Sequence, residues 1–184
     1  MSNYKKMATL LSSSAIVVVG GAVAAEDTDW SGPYAGGTFT KAVPDGPPAY
    51  DIFAGGGFVG NNWTMGNGAV FGAEFAMYGP FAVGPSAYEG LTDAKVRAGF
   101  AFGDALIYGV GGYSSGSWVT PDDPGTYTYP VSGFNYGVGI DYAINDNAFV
   151  GLEYLWRGMT DALGEYDPGA IRFNSLSMRM GVNF

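Results

Sequence analysis

Residues Phe134–Trp156 read FNYGVGIDYAINDNAFVGLEYLW and show a regular alternation of residue types. In each half, apolar side chains alternate with small or polar ones, and Asn145–Asn147 separates the two halves. Alternation with a period of two on both sides of a short Asn/Asp turn predicts a β-hairpin. Glycines occur three times in the alternating halves, and each would cost roughly 1 kcal/mol in a helix. The apolar set is Phe134, Tyr136, Val138, Ile140, Tyr142, Val150, Leu152, Tyr154 and Trp156.

The residues on the two faces of this hairpin indicate which face meets water. The face opposite the apolar set carries glycines and the charged residues Asp141, Glu153 and Arg157, whereas the apolar face is long and rich in aromatic residues. A soluble sandwich would instead turn its large apolar face into a core shared by two sheets. An apolar exterior around a small polar lumen is typical of transmembrane β-barrels.

The C-terminal stretch Asn174–Phe184, NSLSMRMGVNF, repeats the pattern. Apolar residues alternate with a set that contains Ser175, Ser177 and Arg179, so we predict a last strand with the same two-sided character. Combining this strand with the hairpin, we expect six side chains to face acyl chains: Val138, Ile140, Val150, Leu152, Met178 and Met180.

Composition fits one such domain. Glycine accounts for 31 of 184 residues and aromatic residues for 16%, while charged residues make up only 14%, which is unusual for a soluble protein. The sequence has no Cys, which excludes a disulfide framework and is common in proteins that are exported unfolded.

The N-terminus has the features of a targeting segment. Lys5 and Lys6 precede the short apolar run Met7–Val19, and Ala22–Ala25 offers a cleavage site with small residues. We predict a cleaved signal peptide at residues 1–25 and a mature domain at residues 26–184. Cleavage removes two of the eight Lys and Arg residues and none of the 17 Asp and Glu residues, so the mature charge is 6 − 17 = −11. Such a surface excludes nucleic acid as a partner.

The alternation predicts eight strands, and the connections between them alternate between long and short. Long loops occupy 43–48, 79–90, 117–130 and 158–169, whereas the turns at 64–67, 103–104 and 145–147 are tight. An even number of antiparallel strands with this asymmetry is the outer-membrane pattern. The facing of the fifth strand, near 106–116, stays open. The predicted strands are 33–41, 52–61, 69–78, 91–102, 106–116, the two arms of the hairpin, and 174–184.

Several stretches resemble one family, the small eight-stranded outer-membrane barrels of alphaproteobacteria of the porin-family or surface-antigen type, which are similar to OmpA-type and opacity-protein barrels. The resemblance covers essentially the whole mature chain. It rests on residues 30–37 (WSGPYAGG), 60–63 (GNNW), 95–100 (KVRAGF), 111–113 (GGY), 137–143 (GVGIDYA), 153–155 (EYL) and 179–184 (RMGVNF).

This resemblance implies an all-β, eight-stranded, antiparallel up-and-down transmembrane barrel in the Gram-negative outer membrane, with long extracellular loops and short periplasmic turns. It implies that Phe184 is an assembly signal, because the last strand of such barrels ends in an aromatic residue that the assembly machinery reads. Val182 stands where the family usually has another aromatic residue. Lipid, lipopolysaccharide, the assembly machinery and periplasmic chaperones are the implied partners.

Few residues of the sequence suggest a catalytic or ligand-binding site. Gly55–Gly60 fits a dinucleotide-binding glycine pattern, but no helix is expected after it. Enzymes on small barrels rely on a histidine base, and the sequence has no His, so we predict no enzymatic activity and no cofactor. The acidic loops could bind Ca²⁺ or Mg²⁺ and so bridge to lipopolysaccharide phosphates, or could present a surface to a partner, or could be a solvated rim. Their acids are Asp45, Asp122, Asp123, Asp161, Glu165 and Asp167.

Charges on the polar faces of the strands predict a lumen charge network. Counted from the short turns, Glu74 and Arg97 reach similar heights on neighbouring strands, and so do Glu153 and Arg179. The set is neutral, and removing one partner of a buried pair typically costs about 3–5 kcal/mol. The predicted members are Glu74, Lys95, Arg97, Asp141, Glu153 and Arg179.

Two functions remain open at this point. If the charges pair across the lumen, the barrel is closed and has a structural or surface-interaction role. If they do not, it is a small porin-like channel for ions or small solutes. A cation-selective constriction would need an excess of acids at this level, and charges hydrated separately by lumen water are the third possibility.

Overall fold

The computed structural model describes residues 28–45, 52–79, 81–83, 86–122, 125–161 and 171–184. These residues form nine β-strands and contain no helix long and apolar enough to cross a membrane. The strands are β1 (Gly32–Pro44), β2 (Ile52–Thr64), β3 (Ala69–Tyr78), β4 (Phe81–Val83), β5 (Ser86–Phe102), β6 (Ala105–Asp122), β7 (Gly125–Asn145), β8 (Ala148–Asp161) and β9 (Ile171–Asn183).

Eight of the strands close into an antiparallel barrel. The sheet runs β3-β2-β1-β9-β8-β7-β6-β5, and pairing of β3 with β5 joins its two ends. The short strand β4 pairs with the upper end of β5, on the edge that β3 occupies lower down, and so continues β3 in the barrel wall. Each barrel strand therefore has a neighbour on both sides, which satisfies its backbone groups as a membrane requires.

The hairpin predicted at residues 134–156 is confirmed. Strands β7 and β8 pair from Val131↔Asp161 down to Asn145↔Ala148, with Tyr136 opposite Trp156. The side-chain oxygen of Asn145 accepts hydrogen bonds from the backbone amides that follow it, which holds the tight turn.

Two predicted loops were wrong in part. The prolines and aspartates of residues 117–130 predict a loop, yet β6 and β7 stay paired from Ser117↔Pro130 to Asp122↔Gly125. The segment contains residues with high strand propensity, and their preference for a strand outweighs that of the turn-forming residues near the tip. These residues are Trp118, Val119, Thr120 and Tyr127–Tyr129. Within 79–90, β4 pairs with the start of β5. The other long connections lie mostly outside the described residues.

Alternation assigns the inner and outer faces throughout the barrel. Five of the six side chains expected to face acyl chains are on the outside with exposures of 41–64%, and Val150 lies half-buried on the same face. The facing of the fifth predicted strand, left open by the sequence, is resolved in β6: Leu106, Tyr108 and Val110 point inward, while Ile107 points outward.

Inward glycines make room for large lumen side chains. A methyl group on Gly139 would overlap the ring of Tyr108, and one on Gly60 would overlap the ring of Tyr34. The glycine-rich run Gly55–Gly60 therefore belongs to strand β2, where small residues allow close packing.

Candidate functional site

The six charged residues predicted for the lumen all lie inside the barrel, and we call them the charge belt. They come from strands β3, β5, β7, β8 and β9, and their exposures are between 0% and 6%. Buried charges require partners, because an isolated ion loses its hydration without compensation. The members are Glu74, Lys95, Arg97, Asp141, Glu153 and Arg179.

Arg179 contacts all three acids of the belt. Its Nη2 lies 2.6 Å from Glu74 Oε2, and its Nη1 lies 2.8 Å from Glu153 Oε2. Its Nε lies 3.7 Å from Asp141 Oδ1. One guanidinium on β9 thus links β3, β7 and β8 across the lumen, which its planar fork of donors allows.

The other two cations complete the belt. Lys95 Nζ lies 2.8 Å from Glu74 Oε1 and 2.6 Å from Glu153 Oε1. Arg97 Nη1 lies 2.9 Å from Asp141 Oδ2 but 4.0 Å from Glu74 Oε2. Of the two pairs matched by height, Glu153 and Arg179 meet directly, whereas Glu74 is closer to Lys95 and Arg179 than to Arg97.

Neutral side chains support the belt, and sequence reasoning missed them. Tyr34 donates a hydrogen bond to Glu74 (2.9 Å), and Asn62 accepts one from Arg97 Nε (2.8 Å). The guanidinium of Arg97 lies over the rings of Tyr34 and Tyr108, at 4.4 and 4.9 Å from their centroids. Alternation in β1, β2 and β6 places Tyr34, Asn62 and Tyr108 on the inward face, and this is the signal in the sequence that points to them.

A second ion pair lies nearer the long-loop end, and the sequence analysis did not predict it. Arg157 of β8 pairs with Asp93 of β5, and both are buried. Ser114 donates to Asp93 (2.6 Å), and Arg157 donates to Ser175. We call Asp93 and Arg157 the upper pair. Each lies on the inward face of its strand, with Asp93 two residues from Lys95, so alternation alone could have found them.

An aromatic cluster fills the lumen at the short-turn end. Trp30 packs edge-on against Phe149, with ring centroids 5.9 Å apart, and Tyr34 and Phe58 also contact Phe149. The segment that carries Trp30 reaches the β5–β6 turn, where Thr28 donates to Asp104 at 2.9 Å. This segment precedes β1, and it lies across that mouth of the barrel.

The remaining predicted residues lie apart from the lumen. Phe184 is 76% exposed at the end of β9, and its amide donates to the carbonyl of Pro33. Asp45 is exposed. The other five loop acids, Asp122, Asp123, Asp161, Glu165 and Asp167, and residues 1–25 lie outside the residues whose side chains the structure describes. Among the described residues no group of acids is arranged to hold a metal ion.

Among the residues whose side chains the structure describes, the charges inside the barrel balance to zero. The belt and the upper pair together contain four acids and four bases. Four of the six Lys and Arg residues found between residues 26 and 184 are therefore inside the barrel. The other two, Lys41 and Arg172, lie on its outer face.

A closed eight-stranded antiparallel barrel with an apolar exterior and a charged lumen defines the class of small transmembrane β-barrels. Comparison with known proteins agrees. The chain belongs to the family of the outer membrane protein beta-barrel domain, which matches residues 12–184. It is therefore an outer-membrane β-barrel protein.

Two relatives from alphaproteobacteria carry outer-membrane names. The chain is 29% identical over 159 residues to the 31 kDa outer-membrane immunogenic protein of Brucella melitensis, which covers 72% of this chain and 65% of that protein. The chain thus spans about two-thirds of that relative's length. It is 26% identical over 166 residues to the 22 kDa outer membrane protein of Rhizobium leguminosarum, covering 84% of this chain and 78% of that protein.

Solved structures share the fold. The attachment invasion locus protein Ail of Yersinia pestis has a TM-score of 0.63 at 14% identity, covering 84% of this chain and 97% of that one. Neisserial surface protein A has a TM-score of 0.56 at 13% identity, covering 84% and 98%. At these identities, what the chain shares with the two structures is the barrel fold.

Proposed function

We propose that this protein is a closed outer-membrane barrel with a structural and surface-interaction role, and that the charge belt blocks its lumen. The observation that carries the proposal is the burial of six charged side chains at one level of the lumen, joined by seven N–O contacts of 4.0 Å or less. A permeating ion would have to separate these charges, and breaking a buried pair costs about 3–5 kcal/mol.

Neutrality of the belt favours closure over selective conduction. An excess of acids would attract cations and keep water in the lumen, as in the charged rings of cation channels. Three acids against three bases leave no such excess. Side chains also fill the lumen on both sides of the belt: the upper pair lies toward the long-loop end, and the aromatic cluster around Trp30 lies at the short-turn end.

No enzymatic activity forms part of this proposal. The inward charged residues contact one another, and the sequence supplies no His as a general base. The proposed partners are lipid and lipopolysaccharide around the barrel, the assembly machinery and periplasmic chaperones during export, and a surface partner at the loops. We propose that the exposed Phe184 serves as the assembly signal.

The acidic loops narrow the choice of surface partner. One structure of Ail is a complex with the heparin analogue sucrose octasulfate. The loops of this chain are rich in Asp and Glu, and the whole chain carries a formal charge of −9. Like charges placed opposite each other disfavour association, so we propose that any partner of these loops is basic rather than a sulfated polyanion.

Conductance in a planar bilayer tests the closed lumen. Refolded wild-type protein should show no steady open state, whereas Glu153→Ala/Arg179→Ala, which removes two belt side chains without changing the net charge, should conduct. The matched control is Leu152→Ala/Met178→Ala, which truncates a paired outward position on the same two strands and should stay silent. A steady open conductance in the wild type would contradict the proposal and favour the alternative, a small porin-like channel.

A further inference from the structure

Seven polar side-chain atoms in the described part of the chain are buried without a hydrogen-bond partner in the protein. Buried polar groups are nearly always hydrogen-bonded, so each such atom indicates where a small molecule or ion binds. One of the seven, Arg179 Nε, already faces Asp141 at 3.7 Å as an ion pair. The other six form two groups, two atoms beside the upper pair and four on the short-turn side of the charge belt.

The two atoms beside the upper pair complement each other. Asn135 Oδ1 is an acceptor and Arg157 Nε is a donor, and the two residues lie opposite each other on β7 and β8. Both side chains point inward and are buried. A water molecule donates and accepts hydrogen bonds, so water suits both atoms. This level of the lumen therefore requires no charged ligand.

The four atoms on the short-turn side differ because all of them can donate a hydrogen bond. They are Arg97 Nη2, Asn62 Nδ2, Trp30 Nε1 and Thr64 Oγ1. Thr64 is two residues from Asn62 on β2, and its backbone amide donates to Ser31 Oγ at 3.1 Å. This bond holds the segment that carries Trp30 beside the same end of β2. Unpartnered donors thus gather in one corner of the barrel.

Arg97 and Asn62 meet over Gly72. Register places Asn62 opposite Gly72, and Gly72 opposite Arg97. A methyl group on Gly72 would overlap Asn62 Oδ1 and would lie 3.1 Å from Arg97 Cγ, so the glycine allows the two side chains to meet. Arg97 Nε donates to Asn62 Oδ1 at 2.8 Å. Because Nε and Nη2 share one edge of the planar guanidinium, Nη2 lies on the side of Arg97 that faces the Asn62 amide.

Among the belt cations, Arg97 has the weakest contacts with acids. Its contacts are 2.9 and 4.0 Å long, whereas Lys95 and Arg179 each have two of 2.8 Å or less. The rings of Tyr34 and Tyr108 lie against its guanidinium, so a polar ligand would approach along the edge of the group. Charge-assisted hydrogen bonds from such an edge favour an anion.

We propose that the lumen binds a small inorganic anion, chloride, between Arg97 Nη2 and Asn62 Nδ2, on the short-turn side of the charge belt. Chloride accepts hydrogen bonds and donates none, which matches a corner of unpartnered donors. Water suits this corner less well, because its own two hydrogens would need acceptors. The aromatic cluster closes this end of the lumen, with Trp30 only 1% exposed, and so favours a monatomic anion over sulfate or phosphate.

The site lies beside the belt and does not depend on whether the lumen conducts, so it can fail while the closed barrel stands, and the reverse. Urea unfolding of the refolded protein in lipid vesicles tests it, with chloride exchanged for gluconate at constant ionic strength. If only the folded state binds chloride, the unfolding equilibrium constant should fall up to about tenfold for each tenfold rise in chloride near saturation. An unfolding constant that is the same in chloride and gluconate would overturn the proposal.

Bromide locates the anion directly. Crystals of the wild-type protein grown in sodium bromide should show an anomalous scattering peak within hydrogen-bonding distance of Arg97 Nη2 and Asn62 Nδ2. A water molecule at this place and no bromide peak would contradict the assignment. The wild-type titration and this peak decide the question even if a variant fails to fold.

Two matched variants separate this site from general effects of salt. Asn62→Asp replaces the amide by a carboxylate of the same shape, which can pair with both Nε and Nη2 of Arg97, so the dependence on chloride should vanish. Asn135→Asp makes the same change at the upper level and should retain the dependence. The change of mobility in SDS on heating verifies that each variant is folded. A dependence that survives Asn62→Asp, or that is lost in Asn135→Asp, would place the chloride effect elsewhere and overturn the proposal.

Discussion

The inner and outer faces of the same strands differ in how they stabilise charged side chains. On β8, Glu153 and Arg157 point inward and reach cations or acids from other strands, while Leu152 and Trp156, each one residue from a charge, point to lipid. Inside, a charge is stabilised by partners that the barrel brings together across the lumen. Outside, the cations lie toward the extracellular rim, because the middle of the bilayer offers no partner.

The comparison extends to the lumen itself. Each charge in the belt has at least two partners of opposite sign within 4.0 Å, whereas the upper pair is a single ion pair held by neutral hydrogen bonds. Redundancy in the belt means that the loss of one member leaves the others paired. Among the described residues, neither member of the upper pair has a second partner of opposite charge within 4.0 Å.

The largest expected effect comes from the upper pair. Arg157→Met keeps most of the side-chain volume but leaves Asp93 buried without its cation, so the free energy of unfolding should fall by about 3–5 kcal/mol. Urea unfolding in lipid vesicles, followed by tryptophan fluorescence, measures it. Asp93→Asn combined with Arg157→Met should recover much of the loss, and a single variant as stable as the wild type would show that the ion pair is unimportant.

A charge placed on the outer face should lower the free energy of unfolding somewhat less than Arg157→Met does, and the loss should depend on the depth in the membrane. Leu152→Arg, near mid-height, should lower the free energy of unfolding by roughly 2–4 kcal/mol. Ile144→Arg, on the same face next to the short turn, should cost at most about 1 kcal/mol. Equal effects at the two positions would contradict the assigned membrane depth. The same unfolding assay reports both.

Sequence alternation predicted the barrel and the six belt residues, because inward and outward faces follow directly from a period of two. It did not predict the long β6–β7 ladder, since Pro121, Asp122 and Pro124 resemble a loop when read locally. Nor did it predict the upper pair, because Asp93 and Arg157 lie on strands that are not neighbours in the sheet.

Partner choice in the lumen also lay beyond the sequence. Arg179 on β9 reaches Glu74 on β3, which is not its neighbour in the sheet. Such contacts depend on the shear and diameter of the closed barrel, and no single strand encodes them. Tyr34 and Asn62 were missed for the same reason: their roles appear only once Glu74 and Arg97 are placed beside them.

A smaller effect is expected where the belt is redundant. Lys95→Met removes one cation, but Glu74 and Glu153 keep Arg179 within 2.8 Å, so the loss should be about 1–3 kcal/mol, below that of Arg157→Met. Unfolding of the two variants under identical conditions makes the comparison. An equal or larger loss for Lys95→Met would remove the distinction between the belt and the upper pair.

The coupling between Glu153 and Arg179 tests most directly whether the belt acts as one unit. Glu153→Ala, Arg179→Ala and the double variant form a cycle, with the free energy of unfolding in lipid vesicles as the measured quantity. Because the two side chains meet at 2.8 Å in a buried site, the double variant should lose less than the sum of the single losses, by about 0.5–3 kcal/mol. Strict additivity would mean that the lumen charges are stabilised separately, and would contradict the closed charge belt.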